Sequence, residues 1–199
     1  MGRILSLIQK HPGFRLARYE LALYRDLFRW IRGYQLVPDG AVPLPHPPGR
    51  LQMLAGVIAV LCIEMVVVHL LLPAGTVRLV ALLLSIWGVV YVASLIASER
   101  IRPSYVAEDE TVLRRGRLVF VQIPASHVRA QRHHRTFASE VVLGEGTLTV
   151  GGSGGTDTLV ELSEAIDATG DRYPWQKARP QPVTRIHYYA GTRREAGSA

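Results

Sequence analysis

Cysteine and lysine are almost missing from this 199-residue chain. The single cysteine, Cys62, excludes an intramolecular disulfide and any zinc or iron–sulfur site built on several cysteines. Only Lys10 and Lys177 accompany 21 arginines, a bias that we ascribe to genome composition rather than to selection for arginine contacts. With 48% apolar and 20% charged residues, the composition also excludes a disordered polyelectrolyte.

Charged side chains are missing from one long segment and nearly missing from another. Residues 79–97 contain none, and residues 53–72 contain only Glu64 and His69 as ionisable groups. At about 1.5 Å per residue, helices of this length cross the hydrocarbon core of a bilayer, which is about 30 Å thick. The sequence therefore predicts a transmembrane hairpin at residues 51–98, with helices at about 53–72 and 77–97, and excludes a wholly soluble protein.

Basic residues flank both ends of the predicted hairpin. Arg50 precedes it, Arg100 and Arg102 follow it, and the connecting turn at residues 73–78 holds one basic residue. Because lysine and arginine next to spans stay on the cytoplasmic side, we expect a multi-pass protein of the inner (plasma) membrane with both termini cytoplasmic. The net charge of +7 alone could suggest nucleic acid. However, no helix-turn-helix or zinc-finger spacing is present, so we expect no nucleic-acid partner.

An amphipathic cytoplasmic helix is predicted within residues 1–36. Tryptophan, tyrosine and leucine occupy mainly one side, and the opposite arc of about 100° holds five arginines: Arg15, Arg18, Arg25, Arg29 and Arg32. This pattern is typical of a helix that lies in the membrane interface and contacts anionic headgroups. The alternative is that the apolar side packs against the protein's own soluble domain or against a partner.

Prolines are concentrated in residues 37–50, between the predicted helix and the first span: Pro38, Pro43, Pro45, Pro47 and Pro48. A segment so rich in proline cannot be helical. We therefore expect an extended, semi-rigid linker that acts as a spacer into the membrane.

Small residues recur at intervals of three and four in both predicted spans. They are Ala55, Ala59 and Cys62 in the first span and Ala81, Ser85 and Gly88 in the second. Small residues at these intervals let two helices approach closely in lipid. We therefore expect the two stripes to form the seam of the hairpin.

Glu64 is the residue of the predicted hairpin that most suggests a function, because a carboxyl group deep in a bilayer is costly. Three interpretations are open: a structural carboxyl that hydrogen-bonds a nearby group such as Ser85, an oligomer contact, and movement of protons or ions. Because Glu64 lies about 180° from Ala55 around the helix, it would point to lipid or to another protomer. His69 is about 140° from Glu64, so we expect a polar seam residue rather than a metal ligand.

Short alternating runs replace the long apolar segments from residue 99 onward. They predict strands at residues 105–107, 111–115, 117–123, 140–143, 147–150, 158–162 and 184–189. We expect one or two helical turns at residues 163–169 and a polar tail at residues 191–199. The predicted fold class is thus membrane α+β, with a small β-rich barrel or sandwich at residues 99–190.

Several motifs of this region resemble the start of bacterial PH-like domains. They are Arg102-Pro103, the acidic turn with the following Thr111–Gly116, and Val121-Gln122-Ile123-Pro124. The resemblance extends beyond this region, because most of residues 20–190 is similar to a group of uncharacterised actinobacterial two-span membrane proteins. The further matching features are Leu23–Trp30, residues 64–72 and residues 184–189. The resemblance implies a PH-like cytoplasmic domain and no particular reaction. One departure is that residues 191–199 are too short and polar for the closing helix of a PH fold.

Sequence motifs for catalysis or cofactor binding are absent. Gly151–Gly155 lacks the Gly-Lys-Ser/Thr end of a phosphate loop, and no Gly-x-Ser-x-Gly surrounds Ser126. His127, His133 and His134 have no carboxylate or cysteine at ligand spacing. We therefore expect no enzyme activity, no metal, no cofactor and no small-molecule substrate.

A basic segment near residue 130 is the most distinctive surface feature of the β-rich part. Arg129, Arg132 and Arg135 belong either to a solvated loop or to a surface that contacts anionic headgroups or an acidic partner. The sequence thus predicts a non-enzymatic membrane scaffold or adaptor that presents a PH-like domain to a protein partner or to itself. The alternative is a subunit of an oligomeric transport or ion-conducting assembly that uses Glu64.

Overall fold

The computed structural model describes residues 12–173 and 176–191. The first eleven residues of the predicted N-terminal segment and all of the predicted tail except Gly191 lie outside these ranges. The described residues form three α-helices and nine strands. They belong to two compact units, one made of Met1–Gln35 and Leu51–Ile101 and the other of Leu36–Arg50 and Arg102–Ala199.

The first unit is helical. Its helices are α1 at Pro12–Ile31, α2 at Arg50–Leu71 and α3 at Thr76–Ile101. α2 and α3 are long and apolar enough to cross a membrane, with mean hydropathies of 2.6 and 2.5 over their most apolar stretches. Only 6% and 17% of these stretches are buried, whereas a core helix of a soluble protein is mostly buried. The predicted pair of apolar helices is therefore present.

α1 packs closely against the second half of α3. Leu23 of α1 and Ala97 of α3 are both fully buried. Close approach is possible because α3 presents small side chains here, with Ser94 and Ser98 also buried.

The face of α2 that is covered within the chain differs from the predicted one. Ala55, Ala59 and Cys62 are exposed, so the prediction that this stripe forms the hairpin seam is wrong for this chain. The covered positions recur instead every three or four residues: Leu51, Leu54, Ile58, Leu61, Met65 and Val68. On α3, Ala81 and Gly88 are half-buried, and a Cβ at Gly88 would contact Leu61 at 3.6 Å. These covered side chains are large and recur at near-heptad spacing, so they bury more apolar surface than the stripe of small residues would.

The second unit contains a four-stranded antiparallel sheet in the order β1-β2-β3-β4. Its strands are Val42–Pro43, Tyr105–Val106, Glu110–Arg115 and Leu118–Pro124. β1 precedes α2, and the other three strands follow α3. In the β1–β2 register, Val42 faces Val106 and Pro43 faces Tyr105.

A five-stranded sheet has the order β5-β8-β9-β7-β6. Its strands are Val128–Thr136, Val141–Gly144, Thr147–Val150, Thr156–Ala168 and Gln181–Tyr188, numbered β5 to β9. A short 3₁₀ helix, Ala125–His127, connects β4 to β5. All pairings are antiparallel except that of β7 with β9.

The two sheets share one hydrophobic core. Phe120, Val121 and Ile123 from the first sheet are buried with Leu148, Val160 and Ile186 from the second. The end of β8 reaches the first sheet, where the Thr169 amide donates a hydrogen bond to the Phe120 carbonyl at 2.7 Å. The predicted combination of helices with a β-rich part is confirmed at this level.

The proline-rich segment is part of the second unit and is not a free spacer. β1 lies within it, the Leu44 amide donates to the Ser104 carbonyl at 2.7 Å, and the Leu44 side chain packs against the core. Pro47 and Pro48 lie against Gly152 and Gly154, where added Cβ atoms would come within 2.8 and 2.5 Å of proline carbons. The prolines therefore pack directly on the backbone of the glycine-rich loop, and Gly152 and Gly154 leave no space for a side chain.

Two predictions of local structure in the second unit were wrong. Residues 163–169 are not helical, because β8 continues to Ala168 and pairs Ile166 with Val183 of β9. The basic segment is not a loop but the nine-residue strand β5. Its side chains from Arg129 to Arg135 are all exposed, so the alternation that marks a half-buried strand is absent.

Candidate functional site and interaction surfaces

A buried polar contact holds α1 against α3. Asp26 is fully buried, and the Ser98 hydroxyl donates a hydrogen bond of 3.3 Å to its Oδ2. Arg29 Nη1 lies 4.0 Å from Oδ1 of the same carboxylate. A buried carboxylate needs such partners because its desolvation is costly. Sequence reasoning missed this contact, although Ser94, Ala97 and Ser98 carry the small-residue signal that was used elsewhere in the two predicted spans.

Aromatic side chains add a second polar contact between the same helices. Trp87 Nε1 donates a hydrogen bond of 2.9 Å to the Tyr24 hydroxyl, and the Trp87 ring stacks on Tyr91 with centroids 5.8 Å apart. α1 is thus fixed on α3 by directional contacts as well as by apolar packing.

The predicted arginine arc of α1 faces away from α3. Arg18, Arg25 and Arg32 are exposed, and Arg15 and Arg29 are half-buried at the edge of the contact. Beside the arc lies an exposed apolar stripe of Leu21, Phe28 and Ile31. The Arg32 guanidinium lies 4.0 Å above the centroid of the Phe28 ring. α1 therefore has three faces: one packed on α3, one basic and one apolar and exposed.

The predicted polar residues of α2 and α3 are not brought together. Glu64 is exposed on α2, whereas Ser85 of α3 is buried, and the structure shows no hydrogen bond between these two described residues. His69 contacts Arg78 near the α2–α3 turn, with Arg78 Nη2 2.7 Å from Nε2 of the imidazole. His69 is exposed, so it is not the seam residue that was predicted. Within the chain, the Glu64 side chain faces outward.

Arg114 binds the chain on both sides of the α2–α3 hairpin. Its Nε donates to the Pro103 carbonyl at 2.7 Å, and its Nη2 donates to the Leu36 carbonyl at 2.8 Å. The guanidinium also lies 5.0 Å from the centroid of the Tyr105 ring. Burial lowers the pKa of the Arg114 guanidinium. The group nevertheless stays protonated and charged at neutral pH. One side chain therefore joins segments that lie before α2 and after α3 in sequence.

The basic strand β5 forms one edge of the five-stranded sheet. Arg132 makes an ion pair with Glu161 of β8, and the Arg135 guanidinium lies 5.3 Å from the centroid of the Phe137 ring. Phe137, just beyond the strand, is 84% exposed. β5 therefore places Arg129, Arg132 and Arg135 along an open sheet edge.

Two imidazoles meet on the outer face of the same sheet. The rings of His134 and His187 have centroids 5.3 Å apart. Burial, and then the nearby His134 and Arg185, lower the pKa of His187. Its Nδ1 is buried and has no hydrogen-bond partner. The described residues contain no group of three or more histidine, cysteine, aspartate or glutamate side chains that could hold a metal ion.

Comparison with known proteins returned no matching family model, curated protein or solved structure. Functional assignment therefore depends on the geometry of the surfaces described above.

Proposed function

We propose that the protein is a membrane-anchored adaptor in which α2 and α3 span the bilayer and hold the second unit at the cytoplasmic face. The observation that carries the proposal is the pairing of β1 with β2. These strands flank the α2–α3 hairpin in sequence, and Arg114 ties the same flanks together. Because one folded unit contains both flanks, both must lie on the same side of the membrane.

Charge supports the cytoplasmic side for these flanks. Arg50 lies at the start of α2, and Arg100 and Arg102 lie at the end of α3. The opposite turn contains Arg78, which contacts the imidazole of His69. The excess of arginine at the flanks favours their retention in the cytoplasm.

Two exposed surfaces, one on α1 and one on the second unit, support the adaptor. The arginine arc of α1 is suited to anionic headgroups next to the spans, where each basic residue near the surface contributes about 1 kcal/mol. The second unit, for which the resemblance to PH-like domains remains a proposal, offers an open sheet edge. In an adaptor, this open sheet edge would bind a protein partner or a second copy of the chain.

Photo-crosslinking in intact cells tests the adaptor. A photoreactive amino acid is placed at exposed Gln131 of β5, with exposed Glu145 in the β6–β7 turn as the control position. We expect a discrete adduct, to a partner or to a second copy, from Gln131 and a weaker one from Glu145. Equal, diffuse labelling from both positions would contradict a partner-binding role.

The exposed Glu64 favours one second candidate, an oligomeric transport or ion-conducting assembly. A carboxyl that faces away from its own chain within a span is expected to meet another protomer or a polar pathway. Purified protein in liposomes separates the two functions. The adaptor predicts proton and cation permeability equal to that of protein-free liposomes, whereas a conduit predicts permeability that Glu64→Leu removes.

A further inference from the structure

β5 is a long sheet edge that is open to pairing. It has nine residues, against four for β6 at the other edge of the sheet. Every second residue of an edge strand directs its backbone N–H and C=O away from the sheet, where they can pair with another strand. The register of β5 with β8 is continuous from Ala130 to His133 and shifts on either side of that stretch. Exposed sheet edges are the sites at which extended peptides add to sheets.

The charge along this edge selects its partner. β5 contains three arginines and two histidines and no acidic residue. A second copy of β5 would set rows of like charge opposite each other, which destabilises strand pairing. An extended segment with glutamate or aspartate at alternate positions would place carboxylates about 5 Å from these side chains. Charge therefore disfavours self-pairing and favours an acidic strand.

The positions of the basic side chains favour a strand over a flat membrane surface. Arg132 and His134 lie on the outer face of the sheet, where they contact Glu161 and His187. Gln131 lies on the opposite face, within 3.5 Å of the buried Tyr188 hydroxyl. Because successive side chains alternate, His133 lies opposite Arg132 and His134. Basic groups thus flank both sides of the edge, whereas a headgroup layer would meet only one.

Phe137 provides an apolar contact at the end of this edge. Its ring is 84% exposed, and the Arg135 guanidinium lies beside it. Aromatic side chains are enriched at protein–protein interfaces, so Phe137 offers an apolar contact to a segment that pairs with β5.

We infer that β5 binds an extended acidic segment of a protein partner by strand addition, with an apolar side chain of that segment against Phe137. This inference rests on the proposed adaptor function and specifies its partner. The backbone of β5 would provide affinity, and the basic side chains would select the acidic sequence.

A peptide-binding measurement tests the inference. The full chain is placed in nanodiscs of zwitterionic lipid and titrated with a fluorescent ten-residue peptide in which glutamate alternates with valine and which ends in leucine. A matched peptide carries N-methyl groups on four consecutive central amides, so it keeps the charge but cannot pair as a strand. We expect the first peptide to bind and the methylated one to bind at least about tenfold more weakly, since strand addition depends on backbone hydrogen bonds.

Charge-reversal variants locate the site. Arg129→Glu combined with Arg135→Glu is expected to weaken binding about tenfold, because two attractions become repulsions. The matched control, Lys177→Glu combined with Arg179→Glu, reverses two exposed charges elsewhere in the unit and should change binding less than about twofold.

Three outcomes would overturn the inference. They are equal binding of both peptides, no binding of either, and binding of the nanodiscs to anionic vesicles that depends on Arg129 and Arg135. The peptide measurement does not depend on which side of a membrane the unit occupies. Its failure would therefore leave the proposed topology intact, and a failed topology would leave the peptide result intact.

Discussion

Val42 and Val106 are direct partners across β1 and β2, although the entire α2–α3 hairpin separates them in sequence. A strand of only two residues on each side provides little pairing energy by itself. The Leu44 amide, the Leu44 side chain and the Arg114 guanidinium reinforce it. The second unit is therefore completed by residues from both sides of the hairpin.

Shortening Leu44 should destabilise the second unit. Because its side chain packs on the core but is only partly buried, we expect Leu44→Ala to lower the free energy of unfolding by about 1–2 kcal/mol. The control is Val42→Ala, since Val42 is 66% exposed and should change stability by less than about 0.5 kcal/mol. Thermal unfolding in detergent, followed by the circular dichroism of the strands, measures both. If residues 37–50 were a free spacer, the two variants would behave alike.

Enlarging Ala97 should disrupt the contact between α1 and α3. Ala97 is fully buried, so the leucine of Ala97→Leu has no space, and we expect a loss of about 1–3 kcal/mol in stability. Ala55→Leu makes the same change at an exposed position of α2 and should leave the stability of the isolated chain unchanged. The midpoint of unfolding in a single detergent is the measurement. Greater destabilisation by Ala55→Leu than by Ala97→Leu would contradict this account and support the predicted seam of small residues.

Substitution of Glu64 should affect association rather than folding. Since the side chain faces outward from its own chain, we expect Glu64→Gln to keep the size of the detergent-solubilised particle. Glu64→Leu should remove a hydrogen bond to another protomer and release a fraction of smaller particles. The release should be partial because such an interhelical hydrogen bond contributes only about 0.6–2 kcal/mol. Light scattering, corrected for bound detergent, gives the particle mass. A wild-type monomer, or an unchanged particle in Glu64→Leu, would exclude this contact.

Acidification should weaken the five-stranded sheet through His187. Burial lowers the pKa of His187 in the folded state, so below its ordinary value of 6.5 the unfolded chain binds the proton more readily. Stability should therefore fall as the pH decreases from about 6.5 and level off below the folded-state pKa. His187→Gln should flatten this dependence, whereas His133→Gln, at an exposed position, should not. Urea unfolding at a series of pH values provides the comparison, and equal slopes in all three proteins would refute the role of His187.

The helices and most strands of the β-rich part could be predicted from the sequence because their signals are local. Runs of about twenty apolar residues specify long apolar helices wherever they occur. β7 was predicted at its observed bounds, Thr147–Val150, since alternation and flanking glycines mark it. The partners of these elements are set by distant residues and were harder to infer.

The errors have a common physical origin in tertiary contacts. β5 has no buried alternation because it is an edge, and β1 contains a proline that is tolerated because it lies at the edge of its sheet. No sequence signal marked Asp26 as a buried residue, yet it is fully buried against Ser98. In each case, the identity of the residue and its sequence neighbours did not indicate which tertiary contacts it makes.

Side-specific labelling of single cysteines tests the central claim most directly. In a Cys62→Ser background, cysteine is introduced one position at a time at Ala74 in the α2–α3 turn, at Asp39 before α2, and at Ser126 after α3, all of which are exposed. Intact spheroplasts are treated with a membrane-impermeant maleimide and compared with permeabilised ones. We predict labelling at position 74 in intact spheroplasts and at positions 39 and 126 only after permeabilisation. Labelling of positions 39 and 126 on opposite sides, or of both from outside, would contradict the proposed anchored cytoplasmic unit.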